Sequence, residues 1–200
     1  MTKINTYLII VLFILVGCSK KTYTVLPDDT LNDKNNNTDN TKTNETVVLS
    51  EVERNKIASI VGVKPKKIIN DKLYAFVNEW LNVPYIYGGE DKNGIDCSAI
   101  TQDIFKDVYA IDLPRTSAEM FWSDNISRFK KKRYLKEGDL VFFRIDKEKT
   151  ISHVGIYLQN NKFFSSNVSA GVEIADLNSP YWMARYVASG RVITKKNVVE

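Results

Sequence analysis

Histidine and cysteine are scarce in this sequence, which has one His and two Cys among 200 residues. That supply argues against a zinc-type site, which needs several nitrogen and sulfur ligands. A glycine-rich phosphate loop is also missing, because Gly88-Gly89 lacks the further glycine and the lysine of such loops. The formal net charge of +4 is too small to indicate a nucleic-acid partner. We therefore expect no metal, no cofactor and no nucleic acid.

Long hydrophobic runs are missing as well. The apolar run Tyr7–Val16 follows Lys3 and is too short for a membrane span, but it fits the core of a signal peptide. It leads into Leu15-Val16-Gly17-Cys18, the pattern of a bacterial lipoprotein cleavage site. We predict a signal peptide over residues 1–17 and lipidation of Cys18; an ordinary secretory signal with an incidental cysteine is the alternative. The lipoprotein interpretation predicts an exported, membrane-anchored protein, on the outer membrane facing the periplasm in a Gram-negative cell.

Residues 18–46 are polar and rich in Asn, Thr and Asp. Little in this segment repays the entropy of ordering, so we interpret it as a flexible tether reaching roughly a few tens of Å from the membrane. The globular domain then covers residues 47–200. Lipidation of Cys18 leaves Cys97 as an unpaired thiol in an oxidising compartment, where such a thiol is either buried or used.

Helical patterns come first in the domain and strand patterns follow. Ser50 with Glu53 and Thr116 with Glu119 are spaced as capping boxes. Between them an apolar stripe recurs at helical spacing at Leu73, Phe76, Val77, Trp80 and Leu81. After residue 139 the pattern changes to short β-type runs: 140–143, 153–158, 162–165, 172–174 and 186–188. Asn160-Asn161 lies between two of them at hairpin spacing. This order predicts an α+β fold with N-terminal helices packed on a mostly antiparallel sheet.

Cys97 lies where a new helix is expected to begin. Pro84 and Gly88-Gly89 exclude regular helix before it, and the Asp96 carboxylate is a good N-cap. The first-turn N–H groups and the helix dipole are expected to stabilise a thiolate at Cys97, as in a nucleophile. A small buried cysteine is the alternative.

His153, the sole histidine, begins one of the strand patterns. Paired with a cysteine at a helix N-terminus, it supplies the base that nucleophilic cysteine chemistry requires. Its second ring nitrogen needs an acceptor to orient the ring. The polar candidates on the next strand are Ser165, Ser166 and Asn167.

Five ordered motifs between about residues 73 and 192 resemble those of the NlpC-type cell-wall peptidases, a papain-like family. The motifs are Pro84-Tyr85-x-x-Gly88-Gly89, Asp96-Cys97-Ser98, Leu113-Pro114-Arg115, Gly138–Phe143 and His153–Tyr157. The resemblance implies a papain-like α+β fold and a hydrolase of peptidoglycan stem peptides that cuts between D-glutamate and a diamino acid.

The resemblance also implies roles for individual residues. Cys97 is the nucleophile, His153 the base, and the Tyr85 hydroxyl helps to hold the thiol or the oxyanion. Asp96 and Ser98 shape the helix start and the substrate cleft.

Two assignments stay open. Arg115 either meets a substrate carboxylate or forms a structural salt bridge. The third catalytic position, a histidine in most of the family, falls on Ser165, and Asn167 shares its strand parity.

The sequence thus predicts a lipid-anchored cysteine endopeptidase of peptidoglycan. Two alternatives remain: a cell-wall-binding lipoprotein that has lost catalysis, suggested by Ser165, and an amidase or acyl transferase on the same fold.

Overall fold

A computed structural model describes residues 47–145 and 150–194. The predicted signal peptide and tether, including Cys18, lie outside these residues. Within the described part of the chain, no helix has the length and apolar character needed to cross a bilayer.

The helices begin where the sequence offers caps. Ser50 accepts from the Glu53 N–H while the Glu53 carboxylate accepts from the Ser50 N–H, and Thr116 with Glu119 repeats this reciprocal arrangement. Both predicted capping boxes are therefore confirmed. The helices are α1 (Glu51–Val61), α2 (Asp71–Trp80), α3 (Cys97–Tyr109), α4 (Ser117–Trp122) and α5 (Pro180–Arg185). The sequence patterns did not predict α5.

The strands form a two-stranded hairpin and a six-stranded sheet, antiparallel in every pairing. They are β1 (Glu90–Asp91), β2 (Gly94–Ile95), β3 (Ile126–Phe129), β4 (Leu140–Phe143), β5 (His153–Tyr157), β6 (Lys162–Asn167), β7 (Gly171–Asp176) and β8 (Tyr186–Val192). The order in the large sheet is β3-β8-β4-β5-β6-β7. Asn160 and Asn161, both at positive φ, make the tight link from β5 to β6. The predicted α+β class with a mostly antiparallel sheet is confirmed.

The main core lies between the helices and one face of the sheet. Helix α3 packs against β5 and β6, and its Ile100 and Ile104 are fully buried. On α2, the predicted stripe buries Leu73 and Val77 in the same cluster. Burial of each such aliphatic side chain stabilises the fold by roughly 1.5–3 kcal/mol relative to exposure. The packing fixes the N-terminus of α3 against the middle of the sheet.

The segment after α2 covers the outer edge of the sheet. The Asn82 N–H donates to the Val172 carbonyl, and the Val172 N–H donates to the Val83 carbonyl at 2.9 Å. Gly171 permits this approach, since it has φ +68° and a Cβ there would overlap the Val83 carbonyl oxygen. The loop that carries Tyr85 is thereby joined to β7.

Candidate active site

An open cleft of about 900 Å³ lies at the N-terminal end of α3. Its lining includes Tyr85, Cys97, Arg115, His153, Glu173 and Trp182, together with Asp96 and Ser98. Six of the seven predicted catalytic and substrate-binding residues therefore share this cleft. The seventh, Ser165, lies directly behind His153.

Helix α3 begins at Cys97 because Asp96 caps it. The Asp96 side chain accepts from the Ala99 N–H at 2.7 Å, as expected of an N-cap. The Cys97 sulfur accepts from the backbone N–H of Val154 as well as from the N–H groups of Cys97 and Ser98. Since Val154 directly follows His153, this contact places the thiol beside the start of β5.

The glycine pair before the helix serves the same turn. Gly88 has φ +72°, and its N–H donates to Asp96 Oδ2 at 3.1 Å. A Cβ on Gly89 would overlap the Gly94 carbonyl oxygen, which closes the β1–β2 hairpin. The left-handed backbone at Gly88 and the close contact at Gly89 therefore both favour glycine.

His153 and Ser165 form a hydrogen bond inside the protein. His153 Nε2 lies 2.8 Å from Ser165 Oγ, which also lies 3.0 Å from the Val154 carbonyl oxygen. The hydroxyl has one proton and a carbonyl can only accept, so the arrangement that satisfies both contacts has Ser165 donating to Val154 and Nε2–H donating to Ser165. The bare nitrogen is then Nδ1, the form that a general base requires.

Burial keeps both reacting groups neutral. It lowers the pKa of His153 to about 3. It likewise raises the pKa of the Cys97 thiol to about 11, against a smaller opposing effect of the Val154 N–H. The expectation of a resting thiolate at Cys97 is therefore wrong, because loss of hydration outweighs the helix N-terminus. The nearby Asp96 charge raises the pKa of the thiol further.

Arg115 lies against the helix cap. Its guanidinium donates to both Asp96 oxygens, at 3.1 and 2.8 Å, and to Ser98 Oγ at 2.9 Å. Its Nε donates to Glu90 at 3.0 Å. Burial alone would raise the pKa of Asp96, but hydrogen bonds from Arg115, Ala99 and Ser98 hold it below its usual range. These contacts are those of a structural salt bridge, one of the two assignments left open for Arg115. Its contact with a substrate carboxylate stays a prediction.

Asn167 is turned away from the histidine. Its Nδ2 donates to Glu173 Oε1 at 2.5 Å, and its Oδ1 accepts from the Ser169 N–H, the Ser169 hydroxyl and the Ala170 N–H. These bonds engage the whole amide in the β6–β7 turn. Of the two residues with matching parity, the structure brings Ser165 to the imidazole.

Sequence analysis did not connect Trp182 with the active site. It lines the cleft and stacks on His153 with ring centroids 5.1 Å apart. Helix α5 carries it there, with Ser179 as N-cap and Pro180 in the first turn. That Ser-Pro pair is a helix-start signal that could have revealed α5.

Titratable groups in the described residues do not assemble a metal site: no group of three or more His, Cys, Asp or Glu side chains is placed to hold an ion. The chemistry that this cleft supports is nucleophilic attack by a thiol with imidazole as base.

Residues 82–191 match the model of the NlpC/P60 family. A probable endopeptidase NlpC homolog of Haemophilus influenzae is 39% identical over 76% of this chain and 75% of its own length. Murein DD-endopeptidase MepS/Murein LD-carboxypeptidase of Escherichia coli K12 is 38% identical over 58% of this chain and 60% of its own. Bifunctional muramidase/DL-endopeptidase CwlT of Bacillus subtilis is 40% identical over 66% of this chain and 40% of its own.

Solved structures agree with the fold. An NlpC/P60 family protein from Bacillus cereus has 30% identity and a TM-score of 0.55, over 63% of this chain and 41% of that one. A Staphylococcus aureus protein described as similar to lipoprotein, NLP/P60 family, has 26% identity and the same TM-score, over 63% of this chain and 42% of that one.

Proposed function

This chain belongs to the NlpC/P60 family, and on that premise we propose that it hydrolyses the peptide part of bacterial peptidoglycan with Cys97 as nucleophile. The observation that carries the proposal is the line of contacts from the Cys97 cleft through His153 to Ser165. The relatives named as endopeptidases support the reaction class.

The reaction begins from the neutral pair. As Sγ attacks the peptide carbonyl carbon, its proton moves to Nδ1 of His153, and the ring becomes an imidazolium that donates from Nε2 to Ser165. The carbonyl oxygen becomes an oxyanion, held by the Cys97 N–H and the Tyr85 hydroxyl. Collapse of the intermediate breaks the C–N bond, and the imidazolium returns its proton to the leaving amine. Water then attacks the thioester, releasing the acid and restoring the thiol.

Because the Cys97 thiol and the His153 imidazole are both neutral at rest, the proton transfer between them depends on bound substrate. A bound peptide displaces water from the open cleft, and the proton transfer then takes place beside backbone N–H groups that already point at the sulfur. Free thiolate is therefore not the resting form, and attack and proton transfer occur together.

The bond we propose is the one between D-glutamate and a diamino acid. Such a bond joins a D residue to an L centre, the kind named for CwlT, whereas MepS is named for D,D bonds. The names of the relatives thus refer to two different kinds of bond. The products of peptidoglycan digestion show which of the two kinds this protein cuts.

We further propose that Cys18 carries lipid and holds the domain at a membrane surface, within reach of the cell wall. The sequence from Leu15 to Cys18 supports this, and so does the description of the Staphylococcus aureus neighbour as similar to lipoprotein.

The test is digestion of purified sacculi, with the soluble products identified by mass. Wild-type protein should release fragments cut after D-glutamate. Cys97→Ala and His153→Ala should each release at least about a thousandfold less, because removing one member of a catalytic unit costs about as much activity as removing all of them. Ser59→Ala, an exposed α1 position, is the matched control and should keep full activity. Products cut only at D,D cross-links would overturn the bond assignment. Binding to sacculi without any release would overturn the proposed function.

A further inference from the structure

The indole of Trp182 lies flat against the imidazole of His153. The ring centroids are 5.1 Å apart and the planes differ by 25°, which is a stacked arrangement. Both side chains are nearly buried, with 7% of Trp182 and 5% of His153 exposed. One face of the proposed base is thus covered by an aromatic surface.

The indole is itself fixed in place. Phe163 and Tyr181 approach it edge to face, each with planes at 90° and centroids at 5.0 and 4.9 Å. Phe143 packs against it at 4.8 Å. The stack is therefore set by the surrounding cluster and leaves little freedom for either ring.

The charged groups near His153 are engaged elsewhere. Asp96 is paired with Arg115, and Glu173 accepts from Asn167. Among the described residues, no carboxylate is hydrogen-bonded to the imidazole. The titratable and charged groups that line the cleft with it or neighbour its stacking partner are Tyr85, Tyr87, Asp96, Cys97, Arg115, Glu173, Tyr181 and Arg185.

Arg185, the cation on α5, is stacked over Tyr181 with its guanidinium carbon 3.8 Å from the ring centroid. It is therefore directed to the Tyr181 side of the helix. The imidazole is in contact with the Ser165 hydroxyl, the face of Trp182 and the tilted ring of Phe143, whose centroid is 5.7 Å away. Of the two aromatic rings, Trp182 is the one that stacks on it, since its plane differs from that of the imidazole by 25° and the plane of Phe143 by 54°.

We propose that Trp182 is a positioning residue that stabilises the imidazolium of His153 and holds the ring with Nδ1 toward Cys97. The inference rests on the proposed function, in which the Sγ–H bond breaks and its proton joins Nδ1. An indole face carries partial negative charge and attracts a cation, most strongly where water is excluded. The same face resists a flip of the ring that would exchange its two nitrogens.

The first test compares Trp182→Phe and Trp182→Leu by the rate at which iodoacetamide alkylates Cys97. Phenylalanine keeps an aromatic face, so Trp182→Phe should stay within about threefold of wild type. Leucine keeps apolar bulk alone, so Trp182→Leu should react roughly tenfold more slowly at pH 7. With substrate, kcat of Trp182→Leu should fall by the same factor while KM changes less than about twofold.

The direction of the change separates this role from simple packing. If Trp182 only fills space, its loss opens the cluster and exposes Cys97, and the thiol then alkylates faster, with the pH dependence of an ordinary thiol. Faster alkylation of Trp182→Leu, or an unchanged rate, would overturn the proposal. Trp122→Leu is the matched control, because Trp122 is an exposed tryptophan at the end of α4, outside the cluster around His153; its alkylation rate should stay within about twofold of wild type.

A second measurement does not depend on hydrolysis. His153 is the sole histidine, so its ring nitrogens give unique NMR signals. The ¹⁵N shifts of wild type and Trp182→Phe should show one tautomer with the proton on Nε2, and Trp182→Leu should show averaging of the two nitrogens. A single Nε2–H tautomer in Trp182→Leu would overturn the positioning role. That outcome is readable even if no peptidoglycan fragment is ever released.

Discussion

The buried neutral histidine should make the domain sensitive to mild acid. His153 has a pKa of about 3 in the folded protein and an ordinary value of 6.5 when the chain unfolds. Between these values the unfolded chain binds a proton that the folded protein excludes, so the free energy of unfolding rises with pH and falls on acidification. The loss begins as the pH drops through 6.5 and continues toward 3.

The magnitude follows from one proton. Each pH unit between the two pKa values changes the free energy of unfolding by about 1.4 kcal/mol. Acidification from pH 7.5 to 4.5 crosses about two such units, those below 6.5, and therefore removes about 3 kcal/mol. That is a large share of the roughly 5–15 kcal/mol by which domains are stable. Carboxylates with lowered pKa, among them Glu53, Glu119 and Asp96, contribute in the same direction toward the acid end of this range. The histidine is therefore isolated by comparison with a variant that lacks it.

The assay is urea unfolding of wild type and His153→Gln at half-unit steps from pH 7.5 to 4.5. The wild-type free energy of unfolding should fall by about 3 kcal/mol, and that of the variant, which has no histidine, should change by less than about 1 kcal/mol. Equal slopes in the two proteins would refute the reasoning, because the proton would then bind elsewhere. A flat wild-type curve would show that the folded protein protonates His153 as readily as the unfolded chain does.

Three further predictions concern other contacts. Ser165→Ala should lower kcat for release of peptidoglycan fragments roughly tenfold, because it removes the acceptor of the His153 Nε2–H. Ser165→Thr keeps the hydroxyl and should keep kcat. Asn167→Ala should change kcat little, because the Asn167 amide is engaged in a turn. Arg115→Met should lower the free energy of unfolding, measured in urea, by roughly 1–3 kcal/mol, because the buried Asp96 carboxylate loses its cation; adding Asp96→Asn should recover part of that loss. Cys18→Ala should move the protein from the membrane fraction to the soluble fraction, measured by immunoblot after a high-salt wash.

Each of these has a contradicting result. If Asn167→Ala abolishes activity while Ser165→Ala leaves kcat unchanged, then Asn167 and not Ser165 orients the histidine. If the Arg115→Met loss is not reduced by Asp96→Asn, the arginine stabilises something other than the cap. A Cys18→Ala protein that still pellets with membranes would remove the lipid anchor.

Local rules were sufficient wherever a side chain acts on its own backbone. The capping boxes at Ser50 and Thr116 and the N-cap at Asp96 use contacts within three residues, so spacing alone predicts them. The hairpin at Asn160-Asn161 is equally local. The strand β3 escaped prediction because Ile126–Phe129 is short and mostly exposed, and its pairing partner, β8, is far along the chain.

The protonation of the site could not be predicted this way. The sequence shows Cys97 in the first turn of a helix, which lowers a thiol pKa, but it does not show the depth of burial that reverses the sign. The stack of Trp182 on His153 likewise depends on where α5 folds back across the sheet. The family resemblance placed the third position on Ser165, and strand parity left Asn167 as an alternative. The choice between them required the turn that engages the Asn167 amide.

The position of β8 affects how the chain acquires its fold. This last described strand lies inside the sheet, where Ile126 of β3 pairs with Val192 and Leu140 of β4 pairs with Gly190. A nascent chain that has reached only residue 185 therefore has β3 and β4 without the strand that joins them, and each keeps a row of unpaired backbone groups. Contacts between such distant parts of a chain close slowly and late. Completion of the sheet must wait until almost the whole domain has left the ribosome, and a chain cut before Tyr186 loses an interior strand rather than a dispensable tail.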